Sequence, residues 1–154
     1  MKMMQPQRAL ELFAQKYNCA QSVYGSCTAT EGLTETQRLA IAAGFGGGVA
    51  RQGEVCGALT GALMALGEAC GEAMVRDPEN GRKDFYDRAQ RLVDSFRQAH
   101  GSILCRELTG CILGTEEGKK SYDDRELHKN LCSKLVAFAS EKVDEIISEA
   151  LEKK

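Results

Sequence analysis

The stretch from Glu54 to about Val75 constrains the fold most. Its apolar residues Val55, Leu59, Ala62, Leu66, Ala69 and Ala73 recur every three or four positions, with Cys56, Leu63 and Cys70 beside them. That spacing lays one apolar stripe along an α-helix, whereas a strand needs alternation with period two. The same stretch is rich in a residue that helices avoid. Nine of the 16 glycines lie between Gly44 and Gly71, and Gly57 and Gly61 stand four apart on one face of the expected helix. Glycine in a helix interior costs about 1 kcal/mol relative to alanine. Two on one face point to another backbone, or a bound group, passing close by.

Helical spacing recurs along the chain. Pro6 suits a first helical turn, followed by Ala9, Leu10, Leu12 and Phe13. Asn18 reads as an N-cap opening a helix at Cys19, with Ala20, Val23, Tyr24 and Cys27 on one side and Glu31-Gly32 as its stop. Thr34 and Gln37 form a capping-box pattern ahead of Leu39, Ala40 and Ala43. Beyond a turn at Asp77-Pro78 and Asn80-Gly81, Phe85, Ala89, Leu92, Phe96 and Ala99 predict a helix stopped by His100-Gly101. A short segment with Cys105 and Leu108 leads to Gly110, and the polar stretch from Gly114 to Asp124 reads as a loop. A last helix is expected from about Asp124 to Leu151. The expected fold is all-α, a single domain over residues 1–154, a bundle of about five or six helices with a long C-terminal helix. That last helix would be roughly 40 Å long, against a radius of gyration near 15 Å for such a domain. Its stripe could meet a second copy, which predicts a homodimer.

Composition removes several classes of function. Net charge is −2, so the basic excess of a nucleic-acid surface is missing. The longest uncharged run in the glycine-rich middle, Val55 to Gly67, is too short to span a bilayer. Met1 to Pro6 turns polar before an apolar run develops, so no signal peptide is expected and the reducing cytoplasm is the default. Gly44 to Gly48 is followed by no Lys-Ser or Lys-Thr, which argues against a phosphate cradle. Two histidines are too few for a histidine-rich metal site, and no motif supports a serine hydrolase.

Seven cysteines remain, at 19, 27, 56, 70, 105, 111 and 132, with no CxxC pair. Cys19 would follow its Asn18 cap directly, and Cys56 would sit in the first turn after the glycine-rich loop. The positive end of a helix dipole favours thiolates, so both are expected to be more acidic than a free thiol near 8.5. Arg51 would add to this at Cys56, and Glu54 would oppose it.

Asn18-Cys19-Ala20-Gln21-Ser22-Val23, then Cys56-Gly57-Ala58-Leu59-Thr60-Gly61, then Cys105-Arg106-Glu107-Leu108, then Cys132 resemble a family of redox-active proteins named for a C…CGAxxG…C…C pattern. The resemblance runs from about Tyr17 to Phe138. It implies four characteristic cysteines, carried by Cys19, Cys56, Cys105 and Cys132, and supplies neither a reaction nor a cofactor. A related segment accompanies some multihaem cytochromes, but no CxxCH is present for covalent haem.

The expected function is thiol-based redox chemistry. Cys56 is the expected attacking thiol, Cys19 its closest rival, and Cys105 and Cys132 the resolving or partner thiols. The partner would be a redox protein or a small thiol or oxidant. The alternative is a metal or iron–sulfur protein in which the same four cysteines are ligands, which leaves the cofactor open between none, zinc and a cluster. A third reading makes the thiols incidental to a structural role. Cys27 and Cys70 read as core packing, Cys111 as a local resolving thiol or core, and His128 as a surface residue or a co-ligand four residues before Cys132.

Overall fold

The computed structural model describes residues 2–153, and the two capping boxes read from the sequence both open helices. Helix α1 (Pro6–Ala14) starts on its proline. It ends in a left-handed residue, Lys16 (φ 77°), with the Lys16 N–H donating to Phe13 O and the Tyr17 N–H to Leu12 O. Helix α2 (Cys19–Gly25) opens on a complete capping box, the Gln21 N–H donating to Asn18 Oδ1 at 2.8 Å and the Asn18 N–H to Gln21 Oε1 at 3.0 Å. Helix α3 (Glu35–Ile41) repeats the device with Thr34 and Gln37. After a 3-10 turn (Ala43–Phe45) the chain continues through α4 (Gly57–Cys70), α5 (Glu72–Arg76), α6 (Arg82–His100), α7 (Cys105–Thr109) and α8 (Glu116–Asp124). A π turn (His128–Cys132) then leads into α9 (Ser133–Glu152). Among the described residues the only β pairings are isolated bridges, Met4 with Cys27 and Val55 with Leu104.

The all-α class stands, but the described residues form nine α-helices rather than five or six. Each extra element has a local cause. The central helix starts at Gly57 because Val55 bridges to Leu104 and the Cys56 N–H donates to Ile103 O at 2.8 Å. It stops at Cys70, and α5 is a separate short helix. Helix α2 stops at Gly25, well before Glu31, as the chain turns to pair Cys27 with Met4. The polar stretch expected as a loop is α8. The Thr115 side chain accepts from the Gly118 N–H, and Lys119–Asp123 and Lys120–Asp124 pairs run along its exposed surface. An exposed helix held by caps and charge pairs shows no apolar stripe. The helix expected over 124–151 is broken only at Glu126 (φ 51°); beyond it the π turn runs into α9 with right-handed backbone at Leu127, Cys132 and Ser133, so the helical rod covers 127–152. At 1.5 Å per residue α9 alone spans about 30 Å, and the π turn before it lengthens the rod to about 35–40 Å.

Helix α4 lies at the centre, with α2 and α9 packed against it; α1 crosses α2 and α9, and α6 packs on α9 and α4. Leu59, Leu66, Leu92, Phe96, Val143, Ile146 and Ile147 are fully buried where these helices meet. Each such side chain contributes about 1.5–3 kcal/mol. Gly57 and Gly61 set the α2–α4 distance. A Cβ on Gly61 would stand 2.7 Å from Ala20 O, and one on Gly57 3.0 Å from Ala20 N. The backbone expected to pass close by is therefore that of α2. One polar clamp runs through the core: Arg38 of α3 donates to both oxygens of Glu68 on α4 at 3.0 and 2.8 Å, with the Tyr24 hydroxyl donating to the same carboxylate at 2.8 Å.

Candidate functional site

The four pattern cysteines sit at helix starts or at an element boundary. Cys19 is the first residue of α2, Cys56 caps α4, Cys105 is the first residue of α7, and Cys132 ends the π turn before α9. Backbone zippering brings the segments around Cys56 and Cys105 side by side: the Cys105 N–H donates to Glu54 O at 2.7 Å and the Arg106 N–H to Gly53 O at 3.1 Å. Gly57 brings the Cys19 end of α2 alongside, since its absent Cβ would lie 3.2 Å from Cys19 Cβ. All four cysteines line one cavity of about 30 Å³, together with Gly47, Gly48, Leu113 and Tyr122. That is room for about one water molecule. Cys56, Cys105 and Cys132 are buried, Cys19 is half-buried, and all four are free thiols.

A left-handed turn walls the cavity. Gly47, Gly48, Val49, Ala50 and Arg51 all have φ between 50° and 73°. For the three residues with side chains this costs about 1–2 kcal/mol each. Hydrogen bonds hold the turn in place, from the Ala50 N–H to Gly44 O, the Arg51 N–H to Gly46 O and the Glu54 N–H to Gly48 O. A Cβ on Gly48 would meet Cys105 Cβ at 2.6 Å, so only glycine lets the turn close over that cysteine.

The thiols are not equivalent. Burial pushes Cys56 up to about 12, against the N–H groups of Ala58 and Leu59. Burial raises Cys105 as well. Cys19 is pushed well up because it holds the proton it donates to Cys132, and burial adds to this. Cys132 is held below the ordinary thiol range by that Cys19 S–H and by the Tyr122 O–H, which together outweigh burial. The expectation that Cys19 and Cys56 are the acidic thiols is therefore corrected. Helix-terminal N–H groups do face Cys56, but loss of water costs the thiolate more than they return. Arg51, expected to assist Cys56, lines an outer pocket instead.

That outer pocket, about 420 Å³, shares Cys19, Gly47, Leu113 and Tyr122 with the cysteine cavity. His128 lines the outer pocket and Cys132 the inner one, so their spacing of four does not produce a shared ligand pair. The His128 ring stacks on Phe13 with centroids 3.8 Å apart. Among the described residues no group of three or more His, Cys, Asp or Glu side chains is arranged to hold a metal ion. The metal alternative thus finds no donor set in this arrangement. Cys27 packs in the core with its S–H donating to Glu68, and Cys70 lies against the core. Cys111 is buried beside Arg125, whose guanidinium donates to its sulfur at 2.8 Å and to the Thr109 carbonyl. Tyr122 was not among the expected site residues; its one signal is that it is the sole aromatic in the polar stretch 114–124.

The fold is all-α, and four spaced cysteines are among the residues that line one small cavity. The chain belongs to the family described as "Putative redox-active protein (C_GCAxxG_C_C)", whose model matches residues 17–146. No curated protein and no solved structure matches it. No described helix is long and apolar enough to cross a membrane.

Proposed function

We propose that the protein performs thiol–disulfide exchange through Cys19 and Cys132. The observation that carries this is the asymmetry of one thiol pair: Cys19 lines both the outer pocket and the inner cavity and keeps the proton it donates to Cys132, while Cys132 lines the inner cavity alone and is held towards thiolate by Cys19 and Tyr122. Exchange is fastest when the attacked sulfur is accessible and the departing one has the lower pKa. In the oxidised protein an incoming thiolate attacks Cys19 Sγ, the Cys19–Cys132 bond breaks, and its electron pair leaves on Cys132. A second thiolate then attacks the incoming sulfur of the mixed disulfide, and Cys19 departs and takes up a proton. Two thiols become one disulfide, and the protein gains two electrons and one proton, the other proton passing to solvent. The same steps run backwards when the reduced protein meets a disulfide.

On this reading Cys56, favoured from sequence as the attacking thiol, and Cys105 are neighbouring thiols kept protonated by burial. A cytoplasmic setting, in which thiols are returned to the reduced state, belongs to the same reading. The test is trapping. Reduced Cys132→Ser exposed to a small disulfide should accumulate a stable mixed disulfide on Cys19, because the resolving sulfur is gone, whereas Cys19→Ser should accumulate none. A mixed disulfide found first on Cys56 would overturn the assignment.

A further inference from the structure

We infer that the outer pocket admits a small carboxylate-bearing thiol and its disulfide, and that it presents the sulfur of that molecule to Cys19. The inference rests on the exchange reading above and adds the chemical class of the co-substrate. Lys16, Arg51 and Lys119 line the pocket and no carboxylate does, in a chain whose net charge is −2. Lys119 is paired with Asp123, but Lys16 and Arg51 have no acidic partner within ion-pair distance among the described residues. Two unpaired cations in the pocket that Cys19 lines would attract an anion arriving there.

The backbone adds independent support. Lys16 and Arg51 both occupy left-handed conformations, with φ of 77° and 62°. At Lys16 this is the position after a helix end that glycine usually fills. A chain that needed only the turns would be more stable with glycine at both positions. Strained residues held in place by their surroundings cluster at ligand sites. Here each projects a cation into the lining of one pocket. The wall formed by Phe13 stacked on His128 gives a planar group something to lie against, and the His128 Nε2 is buried without a partner. Gly47, Cys19 and Tyr122, shared with the inner cavity, make the passage from pocket to thiols. The reaction is the exchange already written: two carboxylate-bearing thiols lose two electrons and two protons to become their disulfide, and the Cys19–Cys132 disulfide opens.

The experiment compares two disulfide probes on the reduced full-length Cys132→Ser protein, in which a mixed disulfide on Cys19 is not resolved: the dianionic dithiobis(nitrobenzoate) and the neutral dithiodipyridine. The first-labelled cysteine is identified by peptide mass spectrometry, and rates are normalised to mercaptoethanol in the same buffer. A unit charge about 6 Å from a bound carboxylate is worth about tenfold at a dielectric between those of protein and water. The normalised anionic-to-neutral rate ratio at Cys19 should therefore exceed unity by at least about tenfold. It should fall by at least about tenfold, the worth of one such charge, in Lys16→Gly/Arg51→Gly, a pair that relaxes the backbone and so retains the fold, and in Lys16→Gln/Arg51→Gln. Rapid labelling of Cys19 by both probes, with a ratio that neither double variant changes, would overturn the anion inference and leave exchange standing. Failure of both probes to label Cys19 would bring down the exchange reading and this inference with it.

Discussion

Replacing Gly61 with alanine sets two effects against each other. Alanine in the middle of α4 gains about 1 kcal/mol of helix propensity. Its Cβ, however, would sit 2.7 Å from Ala20 O, 3.1 Å from Ala20 Cα and 3.2 Å from Val23 Cβ. The first two are backbone atoms of α2, so no side-chain rotation relieves the contact and the helices must separate by several tenths of an ångström. Overpacking of that kind costs about 1–3 kcal/mol or more. The net expectation is destabilisation by about 1–2 kcal/mol, or about 3–6 °C in Tm for a domain of this size. Gly67 is the internal control. It lies in the same helix, and a Cβ there would meet nothing within 4 Å. Gly67→Ala should raise stability by about 0.5–1 kcal/mol, so the two substitutions move in opposite directions. Urea titration followed by circular dichroism reads both. Because Cys19 begins the helix that is pushed away, Gly61→Ala should also slow labelling at Cys19 while Gly67→Ala leaves it unchanged. If Gly61→Ala stabilises as much as Gly67→Ala, the close approach of α2 and α4 is wrong.

Glu68→Gln should cost about 3–5 kcal/mol in chemical denaturation, because it leaves the buried Arg38 guanidinium without its counter-charge. Burial alone would raise the Glu68 carboxyl, but the Arg38 and Tyr24 hydrogen bonds hold it below 4.5. Its contribution is accordingly present above the ordinary carboxylate range and lost as pH falls below it, so the wild type should lose more stability than Glu68→Gln between about pH 5 and 3. Tyr122→Phe removes one of the two donors to Cys132, so thiolate absorbance near 240 nm should appear at higher pH with helix content unchanged. An unshifted thiolate titration would show that the hydroxyl does not act on that sulfur.

Legibility from sequence followed the range of each interaction. The capping boxes at Asn18–Gln21 and Thr34–Gln37 are complete within four residues, and they formed as read. Gly57 and Gly61 announced a close neighbour because a helix does not carry such a pair without compensation. The helix α8 was missed because caps and charge pairs, rather than an apolar stripe, hold it. The acidity of Cys56 was misjudged for a different reason. The helix terminus is a local feature, while the burial that outweighs it comes from segments as distant in sequence as Ile103 and Leu104. The outer pocket was invisible, since Lys16 and Arg51 meet only after α2 and the glycine-rich turn have folded against each other.

The central claim is that Cys19 and Cys132 form the exchanging pair. It is tested most directly by oxidising the reduced wild-type protein with a limiting small disulfide and mapping the first intramolecular disulfide by mass spectrometry of unreduced peptides. The account predicts a Cys19–Cys132 linkage ahead of any other. A first linkage between Cys56 and Cys105, or between Cys105 and Cys111, with Cys19 and Cys132 still free, would contradict it.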